Sequence, residues 1–289
     1  MIISVIKQMT HLLPDEIYLK LRYYRHMRKK LNLDHPDTFN EKIQWLKLYD
    51  RRPEYIRMVD KYEAKKLVSE IIGDKYIIPA YGVYEHTDDI NFEELPDQFV
   101  LKCTHDCGSA VICKDKNHID VKKIKKNLSR CLKRNYFWNE REWPYKYVKP
   151  RILAEKYMED TDTEELRDYK IFTFGGKAKL LFVATERQKD GKEVKFDFFD
   201  THFRHLDIKN GHANAELPLS RPETLNKMLE LAEKLSEGYP QLRVDFYEVD
   251  GQIYFGELTL YHWGGFVPFE PEEWDHIMGQ WITLPEPTC

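Results

Sequence analysis

Residues 242–265, LRVDFYEVDGQIYFGELTLYHWGG, constrain the fold more than any other stretch of the chain. Two runs with a β-strand pattern flank Asp250-Gly251, and that dipeptide is a strong signal for the turn of a β-hairpin. The loop length decides which side chains share a face. A two-residue loop sets Asp245 opposite Gly256 and turns Glu257 to the other face. A three-residue loop sets Arg243 opposite Glu257, and we favour this second arrangement.

With the three-residue loop, one face of the hairpin is apolar and the other is chemical. The chemical face gathers Arg243, Asp245, Glu257 and Thr259. Two carboxylates and a hydroxyl on adjacent strands suit Mg²⁺, which takes one or two protein carboxylates and completes its shell with water and phosphate oxygens. A structural cross-strand ion pair between Arg243 and Glu257 is the alternative. The apolar face holds Leu242, Val244, Phe246, Tyr254, Leu258 and Leu260.

Short apolar runs bounded by Pro, Gly and Asp continue the strand pattern from residue 76 onwards. Helical segments separate groups of these runs, among them DVKKIKKNLSRCLKRN and PETLNKMLELAEKLSEG. Most of the strands follow one another through hairpins, which indicates antiparallel α+β layers rather than a doubly wound parallel sheet.

The N-terminal segment is predicted to be helical. DEIYLKLRYYRHMRKKLNL, residues 15–33, has apolar residues at helical spacing, and its cations form either a solvated face or a contact with a membrane surface. Asp37 or Thr38 is expected to cap the next helix. MVDKYEAKKLVSEIIG, residues 58–73, is predicted to be one helix that Gly73 ends. The cations of the first helix are Lys20, Arg22, Arg25, Arg28, Lys29 and Lys30.

The overall charge excludes a general attraction to nucleic acid. The 45 basic and 49 acidic residues leave a net charge of -4 and a pI near 6.3, so any anion site is local. Five cysteines lack zinc-finger spacing, and MIISVIKQMTHLL is too short for a secretory leader, which together favour a reducing cytoplasm. No apolar run is long enough to suggest a membrane-spanning helix.

A single cation interrupts the apolar run FVLKC. Lys102 in the middle of this strand is costly unless it meets an anion. The loop THDCGSA follows at once and contains Gly108 and Ser109, so its backbone N–H groups are able to close over a phosphate. The sequence therefore predicts a phosphate site at residues 102–110.

AEKYME, residues 154–159, is a second candidate for nucleotide contact. Glu155 is placed to accept from an exocyclic amine, and an ordinary strand end is the alternative interpretation. The adenine edge would meet the backbone of Lys156, Tyr157 and Met158.

In order and type, these pieces resemble the ATP-grasp ligases. The resemblance rests on Asp60-Lys61, Lys102, EKYM and RVDFYEVDGQIYFGELT. The strings TFNEKIQWLKLYD, REWPYK and RILAEKYMED are similar to the TupA-like branch, which is associated with bacterial surface polymer synthesis and often labelled glycosyltransferase. This more local resemblance covers roughly residues 35–285.

The resemblance implies an α+β ATP-grasp fold in which two subdomains clamp ATP. A helical region, residues 1–57, would precede a subdomain at 58–155 with the phosphate loop and a subdomain at 156–289 with the metal hairpin. The implied activity is ATP- and Mg²⁺-dependent ligation of a carboxylate to an amine through an acyl phosphate, on a small or polymer-linked acceptor. The implied place is the cytoplasm, with weak contact at the inner membrane face through the first helix.

The resemblance also implies roles for individual residues. Asp245, Glu257 and Thr259 would hold the metal, although Thr259 stands where many members have Asn. Arg243 and Lys102 would be catalytic, with Arg243 steadying the tetrahedral intermediate. The nucleotide would be contacted by Lys61, Lys102, Gly108, Ser109, Glu155, Lys156, Tyr157, Met158, Asp168 at the ribose, Lys170, and Arg204 at the γ-phosphate.

Two other functions stay open at this point. A nucleotide-sugar glycosyltransferase is suggested by the D-x-D of Asp160-Thr161-Asp162, but no Rossmann-like βαβ pattern precedes it. A nucleotide-binding protein without ligase activity is the third possibility. The acceptor site is unassigned, because aromatic packing and substrate contact explain the same side chains equally well. These are Arg141, Trp143, Tyr145, Tyr261, His262 and Trp263.

Overall fold

The structure, a computed structural model, describes residues 10–161, 166–186, 193–216 and 218–288. The N-terminal residues 1–9 and Asp162 of the D-x-D lie outside the described part. The α-helices in the described ranges are α1 Asp15–Met27, α2 Phe39–Tyr49, α3 Tyr55–Val59, α4 Lys61–Ile72, α5 Val121–Leu132, α6 Phe137–Glu140, α7 Leu225–Leu235 and α8 Glu273–Trp281.

The strands form two antiparallel sheets. The smaller sheet has the order β1-β4-β2-β3 and the larger has the order β10-β9-β5-β6-β7-β8. This confirms the predicted α+β class. The strands are β1 Ala80–Tyr84, β2 Phe99–Cys103, β3 Val111–Cys113, β4 Ile152–Lys156, β5 Asp168–Phe174, β6 Lys177–Thr185, β7 Lys195–Asp200, β8 His205–Leu206, β9 Gln241–Val249 and β10 Gln252–Thr259.

The smaller sheet is apolar on one face and polar on the other. Its apolar face carries Phe99 and Leu101 of β2 and packs in one buried cluster with Ile124 and Leu128 of α5. Since successive strand residues point to opposite faces, Lys102 lies on the face opposite this cluster. Glu155 of β4 shares that face, because it pairs with Val100.

The larger sheet carries the main hydrophobic core. Helix α7 buries Leu225, Met228 and Leu231 in this core. Ala64 and Val68 of α4 belong to the same cluster, so helices that precede the smaller sheet in sequence pack on the larger one. The predicted boundary after residue 155 cuts β4 one residue before its end, and the division into 1–57, 58–155 and 156–289 stays a prediction.

Two helix predictions need correction and two are confirmed. Helix α1 ends at Met27 instead of residue 33, because Arg28 adopts a left-handed conformation with φ 58°. Residues 58–73 form two helices, since Asp60 accepts from two backbone N–H groups and begins α4. Thr38 caps α2 through a reciprocal capping box with Glu41, and Gly73 ends α4.

The hairpin has a two-residue loop, so the predicted three-residue loop is wrong. Val249 pairs with Gln252, and Asp250 and Gly251 both have positive φ, which is the type I′ turn that matches strand twist. A β-bulge at Gly256 then shifts the register by one residue.

The bulge nevertheless produces the predicted chemical face. Beyond it Glu257 pairs with Asp245 and Thr259 pairs with Arg243, so all four side chains share one face. Tyr254, predicted on the apolar face, pairs with Tyr247 on the chemical face instead. Ile253 and Phe255 take the apolar positions and are buried there.

None of the helices in the described ranges is sufficiently long and apolar to cross a lipid bilayer.

Candidate active site

Arg243 is the centre of the chemical face. Its guanidinium donates twice to the carboxylate of Asp245, at 2.7 and 2.8 Å, and the same Nη2 donates to Glu257 Oε1 at 3.1 Å and to Thr259 Oγ1 at 2.9 Å. The Thr259 hydroxyl donates in turn to Glu257, at 3.1 Å. The predicted catalytic Arg243 and the predicted metal ligands therefore form one hydrogen-bonded group.

The cations around Glu257 favour its ionised form at the edge of this group. Desolvation acts to raise its pKa, but the charges of Lys170, Arg243 and Lys61 outweigh it and lower the pKa to about 2. The side chain is 47% exposed, so it faces the open side of the site. Lys61, at the start of α4, thus acts on the same carboxylate as two cations of the larger sheet.

Lys170 of β5 lies between two buried carboxylates. Its ammonium contacts Asp168 at 2.6 Å and forms a short ion pair with Asp245, its ladder neighbour on β9. Burial raises the pKa of Asp245, and the ion pairs with Arg243 and Lys170 act against that rise. The structure thus brings Asp168 and Lys170 together with the hairpin residues.

The donor set fits a divalent cation that also binds phosphate oxygens. No group of three His, Cys, Asp or Glu side chains in the described residues forms a cage of its own. Asp245 and Glu257 supply the one or two carboxylates that Mg²⁺ takes when phosphate and water complete its octahedron. Arg243 Nη2 donates to both carboxylates, so positive charge is already stabilised between them.

A second charged group lies on the polar face of the smaller sheet. Glu155 is buried and accepts short ion pairs from Lys102 and, at 3.0 Å, from Lys65 of α4. Burial acts to raise the pKa of Glu155, but the two lysines dominate and lower it. Lys102 therefore has Glu155 as its anionic partner. This ion pair explains a lysine in an apolar strand even when no ligand is bound.

The predicted phosphate loop is anchored at both ends and open at its tip. The Lys61 backbone N–H donates to the Thr104 carbonyl at 3.0 Å, and the Lys61 ammonium contacts the Asp106 carbonyl. Ser109 is engaged inside the loop, since its hydroxyl donates to Asp106 and accepts from the Cys103 N–H. Gly108 has a φ of +86°, and a Cβ at this position would meet no atom within 4 Å, so the tip is open.

The segment after β4 forms an apolar patch beside the polar face. Met158 packs with Ile78 and Val249 in a buried cluster, with Tyr247 and Tyr254 at its edge. The Lys156 N–H already donates to the Pro79 carbonyl at 2.9 Å, and the Lys156 side chain is exposed. Tyr157 is buried. These positions suit an apolar ring against Met158, with fewer backbone donors than predicted.

Most of the chain matches a known protein family. A family profile described as TupA-like ATPgrasp matches residues 41–283. The chain belongs to this family. Its ATP-grasp fold is accordingly established, and the resemblance that the motifs indicate is confirmed. A sequence comparison with curated proteins found no match.

Solved structures of ligases are similar to this TupA-like chain at low identity. An L-amino acid ligase from Bacillus licheniformis has TM-score 0.49 and 10% identity, covering 86% of this chain and 55% of that one. A D-alanine–D-alanine ligase from Helicobacter pylori has TM-score 0.44 and 14% identity, covering 84% of this chain and 69% of that one. A D-alanine–D-alanine ligase from Bacillus anthracis, complexed with ATP, has TM-score 0.40 and 16% identity, covering 71% of this chain and 54% of that one. The chain spans about half the length of the Bacillus ligases.

The structure places Arg204 away from the rest of the TupA-like site. Arg204 follows β7, three strands from β9, which is on the order of 15 Å at the usual strand spacing. Its side chain is 78% exposed and pairs with Asp200 at 2.6 Å. The prediction that Arg204 contacts the γ-phosphate is therefore not supported, because the turn after β7 that holds Arg204 is separated from β9 by two intervening strands.

The D-x-D segment is attached to the hairpin turn. Thr161 donates to the Asp250 carboxylate from its N–H and its hydroxyl, and the Asp250 N–H donates to Asp160 at 3.0 Å. Asp160 and Thr161 therefore support the turn, and this is a structural role.

Several residues of the site were not predicted from the sequence. Lys65 is one of them. Its place on the buried side of α4 is the sequence signal that could have indicated a buried anion as its partner. Another is Asn210, whose amide oxygen lies 2.8 Å from His262 Nε2. Burial and the charge of Arg243 lower the pKa of His262 well below its ordinary value, so the neutral ring accepts from Arg243 at Nδ1 and donates to Asn210. This chain of hydrogen bonds fixes the Arg243 guanidinium from behind.

The side chains left open as candidates for an acceptor site have different surroundings. Arg141 lies among the rings of Tyr18, Trp138 and Phe137 and pairs with Asp15, so it holds α1 rather than a substrate. Trp143 donates to the Asp50 carbonyl at 3.2 Å and is buried, and Trp263 is 40% exposed. Burial and the charge of Glu142, a residue that was not predicted, raise the pKa of Tyr145 and of Tyr261 well above the ordinary value.

Proposed function

We propose that this protein is an ATP-dependent ligase that joins a carboxylate to an amine through an acyl phosphate. One arrangement carries the proposal: Arg243 donates to Asp245 and Glu257, and Lys170 pairs with Asp168 and Asp245. Lys61, which contacts the Asp106 carbonyl of the phosphate loop, adds its charge at Glu257. A site built this way neutralises a polyphosphate and its divalent cation together.

The proposed reaction has two steps. In the first, a substrate carboxylate oxygen attacks the γ-phosphorus of ATP, a new P–O bond forms, and the bond to ADP breaks. In the second, a neutral amine attacks the acyl carbon, a C–N bond forms, and the C–O bond to phosphate breaks. The amine loses a proton and inorganic phosphate leaves.

The residues of the site supply charge and position. Lys61 and Lys170 lie where they neutralise phosphate oxygens, and Asp245 with Glu257 would hold Mg²⁺, which supplies further positive charge there. Arg243, fixed by His262 and Asp245, is oriented to stabilise an oxyanion. Removal of one preorganised electrostatic contact of this kind costs about 3 kcal/mol, or at least a hundredfold in rate.

The experiment is a screen of the purified protein with ATP, Mg²⁺, paired carboxylates and amines, read by phosphate and ADP release. We expect activity with one pair, loss of activity in Arg243→Met, and no change in the control Arg204→Met, which alters an exposed arginine far from the site. Release of UDP from a sugar donor, with no ADP from ATP, would contradict ligation and favour glycosyl transfer.

A role in the synthesis of a bacterial surface polymer forms part of the proposal. Its support is the TupA-like family and an exposed apolar stripe on α1, formed by Ile17, Leu21 and Tyr24 at helical spacing and flanked by Arg25 and Arg28. We propose weak contact of this stripe with an anionic lipid surface. Sedimentation with phosphatidylglycerol vesicles tests it: Leu21→Asp should reduce binding, and equal binding of wild type to neutral vesicles would contradict it.

A further inference from the structure

The Arg243 guanidinium has one N–H bond that the protein does not use. A guanidinium carries five N–H donors in one plane, one on Nε and two on each Nη. Nε donates to Asp245, and the two N–H bonds of Nη2 have three acceptors, on Asp245, Glu257 and Thr259. Nη1 donates to His262 Nδ1 at 2.7 Å. Among the described residues no acceptor meets the second N–H of Nη1, so this donor is available to a ligand.

Asn210 determines which nitrogen of His262 carries the proton. The Asn210 amide nitrogen donates to the carbonyls of Val267 and Pro268, at 3.2 and 3.1 Å, so its amide oxygen is the atom that faces the ring. This oxygen lies 2.8 Å from His262 Nε2, and an amide oxygen only accepts. The neutral ring therefore has its proton on Nε2 and a lone pair on Nδ1. That lone pair is the acceptor that Arg243 needs, because a guanidinium only donates.

Asn210 and His262 are both buried, and separate parts of the fold hold them. Their exposed fractions are 1% and 2%. The segment with Asn210 follows β8 and is attached through Lys209, whose N–H donates to the Glu270 carbonyl at 2.8 Å and whose carbonyl accepts from the Glu270 N–H at 2.9 Å. The His262 ring meets the Phe172 ring edge-on, with 4.9 Å between the centroids. The hydrogen bond from His262 to Asn210 therefore joins a segment outside the hairpin to the chemical face.

We propose that Asn210 is a positioning residue that acts through His262 to aim the unused Nη1–H of Arg243 at the substrate. Asp245 holds one edge of the guanidinium and His262 holds the opposite corner, so the remaining donor keeps one direction. The inference rests on the proposed function, in which this donor meets the carbonyl oxygen of the acyl phosphate as the amine attacks and negative charge develops there. Asn210 lies behind the ring and acts only through it.

Two substitutions at His262 move the acceptor and keep it uncharged. The amide oxygen of asparagine lies as many bonds from Cα as Nδ1 does, and the amide group of glutamine lies as far out as Nε2. His262→Asn therefore keeps an acceptor for Arg243, and His262→Gln does not. Asn210→Ala removes the partner behind the ring. Asn214→Ala is the matched control, because Asn214 lies in the same segment and donates to two backbone carbonyls, at 3.1 and 3.3 Å, without contact to His262.

The kinetic test uses a carboxylate and an amine that the protein ligates. We expect His262→Gln to lower kcat about a hundredfold, since a small misplacement of a reacting group has an effect of this size, with the KM for ATP unchanged. Asn210→Ala should lower kcat in the same way, whereas His262→Asn should keep most of it and Asn214→Ala should equal wild type. The double variant His262→Gln/Asn210→Ala should be no slower than His262→Gln. Equal kcat in His262→Asn and His262→Gln, or losses that multiply in the double variant, would overturn the inference.

A second measurement does not depend on turnover or on the folding of the Asn210 variant. Nitrogen-15 NMR of wild type labelled at histidine distinguishes the two neutral tautomers, and the His262 signal is the one that is missing from His262→Asn. We expect the proton on Nε2 between about pH 6 and pH 8. A proton on Nδ1 would overturn the inference. Absence of ADP and phosphate release with every pair of substrates would instead overturn the proposed function, and the NMR result would still decide the tautomer.

Discussion

Asp245 lies directly opposite Glu257 across β9 and β10, and the bulge at Gly256 sets this pairing. In an unbroken ladder from the same turn, Asp245 would face Gly256 and Glu257 would point into the apolar core. One extra residue in β10 therefore brings two carboxylates to one face. The register shifts at Gly256, a residue without a side chain.

A side chain at position 256 should disturb this pairing. A Cβ there would lie 3.1 Å from the Asp245 carbonyl oxygen and 3.2 Å from the Tyr247 ring. We expect Gly256→Val to lower the free energy of unfolding in urea by about 1–3 kcal/mol. Because part of the conflict is with Tyr247, the double variant Gly256→Val/Tyr247→Ala should lose less than the sum of the two single variants. Strict additivity would contradict this explanation.

Glu257→Gln should abolish ATP-dependent phosphate release and lower the stability of the metal-free protein slightly, by ~1 kcal/mol or less given its exposure. The pKa of Glu257 is depressed to about 2, so the ion pair stabilises the fold above pH 4.5 and the contribution disappears as the pH falls towards 2.

Two measurements check the Glu257 prediction. Urea unfolding of wild type and Glu257→Gln should differ at pH 7 and converge near pH 2. Addition of Mg²⁺ and ATP should raise the Tm of wild type but not of Glu257→Gln. An equal Mg·ATP effect on the Tm of both proteins would remove the metal assignment.

Lys102→Ala should weaken ATP binding and also cost stability. Its removal leaves the buried Glu155 with Lys65 as its remaining ion-pair partner, and breaking a buried pair costs more than neutralising both members. We expect a loss of about 1–3 kcal/mol, since a lost charged hydrogen bond has this magnitude.

The double variant Lys102→Ala/Glu155→Gln separates the two roles of Lys102. It should recover part of the lost stability, because the buried Glu155 charge is gone while Lys65, which loses its ion-pair partner, still donates to the Ile78 carbonyl at 3.0 Å. It should still bind ATP weakly by calorimetry. Full recovery of ATP affinity would show that Lys102 serves only to neutralise Glu155.

The stability of the protein should depend on Glu142 between about pH 4.5 and pH 8. Burial raises the pKa of Glu142 to about 8, with Lys47 and Arg243 opposing the rise and Glu140 and Glu257 adding to it. Over this range the unfolded chain loses the Glu142 proton and the folded chain keeps it, so the group destabilises the fold progressively as pH increases. A difference of one between the folded and unfolded pKa corresponds to about 1.4 kcal/mol.

Glu142→Gln removes this dependence and should be the more stable protein at pH 9, with little difference at pH 4.5. Urea unfolding at pH 4.5, 7 and 9 measures the difference, with Glu140→Gln as the matched control. A constant difference between wild type and Glu142→Gln across this range would show that Glu142 ionises as an ordinary surface carboxylate.

The sequence by itself determined the fold class and the existence of the hairpin, because strand alternation and the Asp250-Gly251 turn are local signals. Alternation from the actual two-residue turn would have pointed Glu257 away from Asp245, so the predicted chemical face rested on the wrong loop length and is restored by the bulge at Gly256. Helix caps are local as well, which is why Thr38 and Gly73 were predicted correctly. The strings that carry the family resemblance are local in the same way, and they contain Lys61 and Glu155, whose roles at the nucleotide stay predictions.

The tertiary structure alone decided the register and the charge partners. Asp-Gly is compatible with loops of two or three residues, so the two-residue turn and the bulge at Gly256 depend on how the whole strand packs. Lys65 meets Glu155, and His262 meets Asn210, only because distant segments fold together. Burial of Glu142 is also a tertiary property. Electrostatic interactions depend on distance and desolvation in space, and a linear sequence specifies neither until the chain has folded.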